Sequence, residues 1–512
     1  MASPPGSTAK APKDQYHHVI PRFILREFQS GPKKTKRERN QDYRKFGFVD
    51  EKVWFYDIEK HTLEQRLISG VHGVNNLYRD VRVQDVDEIE KKLSVLENTS
   101  ARILRDIHDV IDKPLQNERQ ATFTINRSDL EQLRKFLFIM HYRKEGLSLS
   151  YFASDHPENA PIRERIKRTR KRLNLESPVH MWLYFLRYYL DTPHTQIGLD
   201  AMKGTPMSGN NMDLSGHLFK SMLNPDAENF EAITYQLQSE GYYLGIVQAA
   251  SGEEFVLGHN GFGLWEGVAA VGPQIHRLFI ISPRIALLLR MNMFRPGLQD
   301  EKRPFFCNSD LLEIRLPGPT CSTVMFNSSK QNGLDALNYK ASSEAKNDQF
   351  QFPITKLTKR QTYLINSVVM LNARQQGSLT FLTPQIMRST VRTHWRNKDP
   401  EVRVEQPRYV PLIRRLTSTS PAITGDIAKS FQKIIRLPAP RTISLAHSQS
   451  STSLSPSSAV LSQSTSSHPP AEVTFPSSFG RPGSIAEVDD HIKLAEKTFF
   501  EAIDCLLLNT LD

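Results

Sequence analysis

The adjacent histidines His17 and His18 are the residues of this chain best suited to chemistry. An imidazole beside a carboxylate binds metal ions or acts as a general base, because it titrates near physiological pH. The alternative is structural: one histidine anchors the first helix of the domain and the other faces solvent. Neighbouring helical positions point in different directions, so we expect the two side chains to separate, and we favour the structural interpretation.

Three charged residues could share a site with these histidines. Glu90 and Glu97 are seven residues apart in a helical pattern, which places them on one edge about 10 Å from each other. That distance is too long for both to bind one metal ion, and a charged edge is ordinary in an amphipathic helix. Arg143 follows the apolar face of the next predicted helix, so we expect it to be half buried and paired with one of these glutamates. The pair would join two helices or face a phosphate, and we favour the first role.

Hydrophobic spacing predicts the elements that position these residues. Helices are expected at His17–Phe28 with Pro21 in the first turn, Val86–Ile111, 128–144 behind a capping box of Ser128 and Glu131, Val179–Leu190, Phe219–Glu240, Pro283–Met293 and Leu357–Leu382. Strands are expected at Lys52–Asp57 and in short runs between Tyr242 and Ile281. The expected fold class is mainly α with a small β element (α+β): one large helical domain followed by a long disordered C-terminal tail that ends in an amphipathic helix.

Composition divides the chain into a disordered N-terminus (1–14), a core domain (15–395), a disordered Ser/Pro-rich tail (396–484) and an amphipathic helix (485–512). Serine occupies 15 of the 43 positions from 442 to 484, with almost no aromatic side chains to offset chain entropy. Thr417 and Ser444 follow arginines in a pattern that basophilic kinases accept, so the tail is expected to be phosphorylatable. The terminal helix must bury its apolar face, and docking on its own core is favoured over a partner's groove.

The net charge of +11 and the pI near 9.3 suit a nucleic-acid partner. The basic residues concentrate in segments 33–39 and 163–172, where a solvated loop or a charged helix is the simpler interpretation. Nucleic-acid contact and nuclear import are the alternatives for these segments. A protein partner would be bound through the tail or the C-terminal helix.

Cysteine usage and hydropathy indicate an intracellular protein, cytoplasmic or nuclear. The three cysteines are widely spaced and form no metal-binding pattern: Cys307, Cys321 and Cys505. Residues 1–13 lack the apolar core of a signal peptide. The most apolar stretch, Leu278–Phe294, is interrupted by Pro283 and two arginines, so no membrane span is expected.

The segment His17-His18-Val19-Ile20-Pro21, followed by Phe23, Leu25 and Phe28, resembles the opening of the domain-of-unknown-function 4238 family. Further similar stretches are Val53–Asp57, Asn75–Tyr78, Ile89–Glu97, His141–Arg143, Phe279–Arg284 and Asn366–Thr383. The resemblance covers roughly residues 15–390 and implies a domain boundary, since the family has no established activity. Where family members carry an Asp-containing turn, this chain has His259 and Asn260. The resemblance therefore adds these two residues, together with Pro21 and Tyr78, to the candidates.

Two functions remain open at this point. The favoured one is an interaction or regulatory protein with a helical core and a phosphorylatable tail, because the sequence contains no phosphate-binding loop, dinucleotide-binding, zinc-protease or nucleophile-elbow motif. The alternative is a metal-assisted phosphodiester hydrolase acting on nucleic acid, the only interpretation that requires a divalent cation. Its catalytic residues would be His17, His18, Glu90, Arg143 and His259, and its binding residues Pro21, Tyr78, Glu97 and Asn260.

Overall fold

The computed structural model describes residues 14–113, 120–144, 146–203, 229–259, 261–269, 275–296, 307–322, 338–373 and 377–418. The strands in these ranges are β1 (Tyr16–His18), β2 (Gln29–Ser30), β3 (Lys52–Asp57), β4 (Thr62–Leu67), β5 (Gly73–Asn75), β6 (Thr122–Asn126), β7 (Tyr242–Gln248), β8 (Leu257–Gly258), β9 (Phe262–Glu266), β10 (Val268–Ala269), β11 (His276–Ile280), β12 (Ile285–Met291), β13 (Cys307–Asn308), β14 (Thr320–Ser322), β15 (Gln349–Lys356) and β16 (Ser378–Phe381).

The helices are α1 (Arg22–Leu25), α2 (Lys36–Phe46), α3 (Glu88–Asp112), α4 (Arg127–Tyr142), α5 (Leu147–Ser150), α6 (Arg163–Arg172), α7 (Pro178–Asp191), α8 (His194–Ala201), α9 (Phe230–Glu240), α10 (Lys359–Leu371), α11 (Pro384–Arg396), α12 (Pro400–Glu405) and α13 (Val410–Ser418). None of them combines the length and the apolar content that a membrane-spanning segment requires.

A seven-stranded sheet forms the centre of the fold. Its order is β14-β15-β7-β12-β11-β9, and β6 also pairs with β15. The pairs are antiparallel except for β15 with β7, which is parallel. Strand β12 is buried at every position between β7 and β11, which explains why its sequence is apolar almost throughout.

The expected fold class, mainly α with a small β element, is wrong. The protein is an α+β fold with a seven-stranded and a five-stranded sheet. Residues Pro283–Met293 were predicted to be helical, but most of them form β12. Periodicity does not separate a short buried strand from a buried helix, because both are apolar on all sides. The predicted helix Leu357–Leu382 is likewise divided between α10 and β16.

The five-stranded sheet has the order β2-β3-β16-β8, with β4 on β3. Strand β3 occupies the predicted residues Lys52–Asp57, so that prediction is confirmed. Strand β16 lies between β3 and β8, and the N–H of His259 continues this pairing by donating to the carbonyl of Ser378 at 2.9 Å. This sheet therefore fixes the position of the His259 backbone.

The chain starts with a strand where a helix was predicted. Strand β1 pairs antiparallel with β5, with His17 opposite Val74 and His18 opposite Gly73. Helix α1 begins only at Arg22, with Pro21 as its N-terminal flanking residue. The predicted helix His17–Phe28 fails at its start because a proline disfavours helical geometry in the residue before it, even though the apolar spacing fits a helix.

Helices α3 and α4 lie where the apolar spacing predicted them. The predicted capping box of Ser128 and Glu131 is not formed. The side chain of Asn126 caps α4 by accepting the N–H of Asp129 at 2.8 Å. Helix α7 also matches its prediction, whereas α9 begins at Phe230 and the earlier part of that predicted helix lies outside the described residues.

Folded structure continues past the predicted domain end at 395. Helices α12 and α13 occupy residues assigned to the disordered tail, and α13 buries Leu412, Ile413 and Leu416. The Thr417 hydroxyl donates to the carbonyl of Ile413 at 2.8 Å within this helix. The described helices therefore extend to Ser418. The N-terminal segment 1–13, Ser444, Cys505, the rest of the tail and the predicted C-terminal helix lie outside the described residues.

Candidate functional site

The side chains of His17 and His18 lie on opposite sides of β1, because successive residues of a strand point in opposite directions. His17 is 3% exposed, and its ring stacks on that of Tyr78 with centroids 5.0 Å apart. Its Nδ1 lies 3.1 Å from the N–H of Tyr78 and accepts that proton, so Nε2 carries the ring proton and faces Gln15 Oε1 at 3.2 Å. Burial lowers the pKa of His17, although Asp87 opposes the shift. His17 is therefore a neutral anchor that joins β1 to the segment ending at Tyr78.

His18 has a different environment. Neither of its buried ring nitrogens has a hydrogen bond of good geometry within the described residues. Burial, and then the charge of Arg22, lower the pKa of His18 to about 3, and the backbone of Val71 opposes the shift only partly. His18 is thus a neutral imidazole without a hydrogen bond of good geometry to the described residues.

Arg143 lies directly after α4 and is 1% exposed. Its Nη2 is 2.7 Å from Glu97 Oε1, so the expected ion pair is formed with Glu97. Yet Nη2 and Nε lack hydrogen bonds of good geometry, and so does the hydroxyl of Tyr78, whose ring centre lies 5.9 Å from the guanidinium carbon. Burial raises the pKa of Tyr78, and the adjacent cation of Arg143 limits that rise. The hydroxyl remains a protonated donor beside a cation.

Glu90 and Glu97 project from the same side of α3 towards Arg143. The Glu97 side chain is 24% exposed, so the ion pair is reached by solvent from one side. Burial raises the pKa of Glu90; the charge of Arg143 opposes this rise, and that of Glu97 adds to it. The two carboxyls therefore differ: one pairs with the guanidinium at 2.7 Å, and the other is held closer to its protonated form.

Five predicted residues thus lie around the guanidinium of a sixth, Arg143: His17, His18, Tyr78, Glu90 and Glu97. We call all six the Arg143 cluster. Arg143 acts electrostatically on both histidines and on both Tyr78 and Glu90. Sequence reasoning placed these residues on separate elements, and the packing of α3 against α4 and the pairing of β1 with β5 bring them together.

His259 belongs to a neighbouring group of residues. Its ring stacks on that of His72 with centroids 6.0 Å apart, and His72 Nε2 lies 2.8 Å from the hydroxyl of Thr380. Burial, followed by the charges of His259 and His18, holds the pKa of His72 well below its usual range. His72 is the link between the Arg143 cluster and His259, and sequence reasoning missed it. A lone histidine carries no spacing signal, so only its contacts with Thr380 and His259 identify it.

Two predicted binding residues remain, Pro21 and Asn260. Pro21 precedes α1 and sets the direction in which the chain leaves β1. Asn260 lies outside the described residues. Sequence reasoning also missed Trp182, whose ring stacks parallel to Tyr78 with centroids 6.1 Å apart and supports it from α7.

A cavity of about 490 Å³ opens along the C-terminal half of α3. Its floor is apolar, and its walls include His108 on α3, Phe23 on α1 and the 281–284 turn. The 281–284 turn is part of a stretch that carries the family resemblance. The cavity volume is typical of small-molecule sites. None of the six residues of the Arg143 cluster lines it.

Within the described ranges, no group of three or more histidine, cysteine, aspartate or glutamate side chains is arranged to hold a metal ion. The Arg143 cluster offers a ligand a cation, a hydroxyl donor and a neutral imidazole.

Comparison with known proteins identifies one family. Residues 16–376 match the model described as "Protein of unknown function (DUF4238)", which confirms the resemblance inferred from the N-terminal segment. No curated protein and no solved structure matches the chain.

Proposed function

Since the chain belongs to the DUF4238 family, a family of unknown function, we propose a function from the geometry of the site: the domain binds a small molecule that carries a phosphate group, and the Arg143 cluster holds that group. The domain would then be the ligand-binding module of an interaction or regulatory protein. The observation that carries the proposal is the set of buried polar atoms around Arg143 that lack hydrogen bonds.

Buried polar groups are nearly always hydrogen-bonded, so unsatisfied ones mark places where water or a ligand belongs. Two such atoms belong to adjacent residues, Nε of Arg143 and the hydroxyl of Tyr78, and within the described residues Nη2 of Arg143 has only the Glu97 carboxylate at 2.7 Å, without hydrogen-bond geometry. A guanidinium and a phenolic hydroxyl are donors that match phosphate oxygens, and the guanidinium can bind two oxygens at once. An anion would satisfy these donors together.

Glu97 already shows which chemistry the guanidinium accepts, because its carboxylate occupies one side of it at 2.7 Å. Glu97 is partly exposed, so its side chain can turn to solvent when another oxyanion takes its place. Burial favours the protonated form of Glu90 by raising its pKa, which reduces the repulsion that an incoming anion meets. On this proposal Glu97 competes with the ligand, and removing its charge strengthens binding.

The test is a titration of the full chain with inorganic phosphate at constant ionic strength. Binding is measured by calorimetry and by the change in thermal unfolding. A ligand that binds only the folded state stabilises it by about 1.4 kcal/mol at ten times its Kd. We expect phosphate to stabilise the wild type, to stabilise Glu97→Gln at lower concentrations, and to have no effect on Arg143→Met. Arg102→Met, which removes an exposed arginine from α3, is the matched control and should respond as the wild type does.

Tyr78→Phe separates binding from folding. The hydroxyl has no hydrogen bond of good geometry, so its removal should leave the stability of the free protein unchanged or slightly raised. A lost hydrogen bond to a charged ligand is worth about 1.5–3 kcal/mol, so the Kd for phosphate should rise about ten- to a hundredfold. An equal response of wild type, Arg143→Met and Tyr78→Phe to phosphate would refute the proposal. A response to citrate but not to phosphate would replace phosphate by carboxylate.

Hydrolysis of the bound phosphoester is a second candidate, and His18 is the observation that favours it. Neutral His18 can accept a hydrogen bond from the attacking water and so orient it, while its pKa of about 3 makes it a weak base, and Glu90 with its raised pKa is suited to protonating the leaving group. Hydrolysis of bis(p-nitrophenyl) phosphate, measured with EDTA and with Mg²⁺ or Mn²⁺, tests it. Activity that His18→Gln abolishes while phosphate binding persists supports catalysis, and activity equal in both proteins, or absent from both, removes it.

A further inference from the structure

Helix α11 carries three arginines at four-residue spacing: Arg388, Arg392 and Arg396. We call them the arginine row. The opposite side of α11 is buried through Met387, Val391 and His394, whereas Arg396 is exposed and Arg388 and Arg392 are half-buried. With a rise of about 1.5 Å per residue, successive arginines are about 6 Å apart, and the row is about 12 Å long.

The described residues offer the arginine row no compensating negative charges. Within the described residues, none of the three side chains forms an ion pair or a hydrogen bond, whereas most arginines elsewhere in the fold do. Like charges four residues apart destabilise a helix. Burial, and then the charges of Arg388 and Arg396, lower the pKa of Arg392. Only Arg396 lies in the last turn, where the helix dipole favours a cation. Helix stability therefore does not account for the row.

The two basic segments singled out in the sequence are different in this respect. In 33–39, Lys33 lies 2.6 Å from Glu27 and Lys34 lies 2.5 Å from Asp42. In α6, Lys167 pairs with Glu164 at 2.8 Å, and Arg165 turns inward towards Glu231. Part of their charge is neutralised within the protein. Each of these segments thus has some carboxylate pairing, whereas the described residues offer none to the arginine row.

We propose that the arginine row binds the phosphate backbone of a nucleic acid strand. One strand of a duplex carries a phosphate for about every 3.4 Å of axis, so a row about 12 Å long spans three to four consecutive phosphates. Guanidinium groups are well suited to phosphate oxygens. A membrane surface fits less well, because interfacial helices insert an apolar side into lipid and the apolar side of α11 is buried in the core.

The test measures, by fluorescence anisotropy, the binding of a fluorescein-labelled single-stranded DNA of about 20 nucleotides and of the same sequence as RNA. The salt concentration is varied from about 50 to about 300 mM, a range in which phosphate contacts are salt-sensitive. The triple variant Arg388→Gln, Arg392→Gln, Arg396→Gln removes about three contacts. The slope of log K against log salt should become shallower by about 2, and affinity at about 0.1 M salt should fall by up to about a hundredfold.

The matched control is Lys36→Gln, Arg37→Gln, Arg44→Gln on α2, which removes the same charge from exposed residues of the other basic region. It should keep most of the affinity and the original slope. Equal losses in both variants would mean that net charge alone attracts the nucleic acid and would overturn the proposal, as would unchanged binding by the row variant. Loss of binding to phosphatidylserine vesicles with nucleic-acid binding intact would assign the row to a membrane instead. Circular dichroism checks that both variants keep their helix content.

Discussion

Replacing Glu97 by glutamine removes the only carboxylate within ion-pair distance of Arg143 in the described part of the chain. The guanidinium is 1% exposed and then stays in the core as an unpaired cation. Breaking a buried ion pair by removing one partner costs about 3–5 kcal/mol. Because Glu97 is 24% exposed and Glu90 still acts on Arg143, we expect a loss at or just below the lower end of that range, about 2–3 kcal/mol.

This loss can be measured in two ways. Unfolding entropy is about 2.1 cal/mol/K per residue, so a folded domain of about 400 residues should lose about 3 °C in Tm. Urea unfolding followed by circular dichroism gives the free energy directly. Glu90→Gln is the control: it makes the same charge change two turns earlier on the same helix. Burial already raises the pKa of Glu90, so this variant should be unchanged or slightly more stable at neutral pH.

The double variant makes the prediction specific to the ion pair. Once Glu97 is neutral, Arg143→Met replaces an unpaired buried cation by an apolar side chain of similar length, so it should increase stability in that background. In the wild-type background the same substitution should be destabilising or neutral. If Arg143→Met lowers stability further in the Glu97→Gln protein, the guanidinium contributes through contacts other than Glu97, and the reasoning is refuted.

Two further predictions concern stability. In Gly73→Ala the new methyl carbon would lie 2.5 Å from the carbonyl oxygen of His17, so the β1–β5 pair should be destabilised by about 1–3 kcal/mol. The control is Gly70→Ala, where such a carbon meets nothing within 4 Å and the unfolding free energy should change little. Similar losses in both variants would contradict the packing argument. Burial raises the pKa of Glu231 from 4.5 to about 7, so this group favours folding below pH 4.5 and loses about 3 kcal/mol of that contribution as pH rises through 7. Urea unfolding from pH 4.5 to 8 should show this decline in the wild type and not in Glu231→Gln; parallel pH profiles would contradict it.

The sequence alone determined the elements whose signal is local. The long apolar stripe of α3 and the β-branched and aromatic run of β3 were predicted at nearly their observed bounds, because a helix of 25 residues and an alternating strand each repeat their pattern several times. The same local signals identified the family through the His17–Phe28 segment and the stretches that follow it. The sequence also indicated Arg143 and five residues that the fold places around its guanidinium.

Only the tertiary structure decided the rest. Strands β12 and β16 have apolar sequences that fit a helix equally well, and pairing with neighbouring strands selects the extended form. His17 and His18 were expected on a helix; pairing with β5 places them on a strand, which turns one imidazole towards Tyr78 and leaves the other without a hydrogen-bond partner. His72 was identified only by its ring contact with His259. Long-range hydrogen bonding and burial set these features, and residue types and spacing record neither of them.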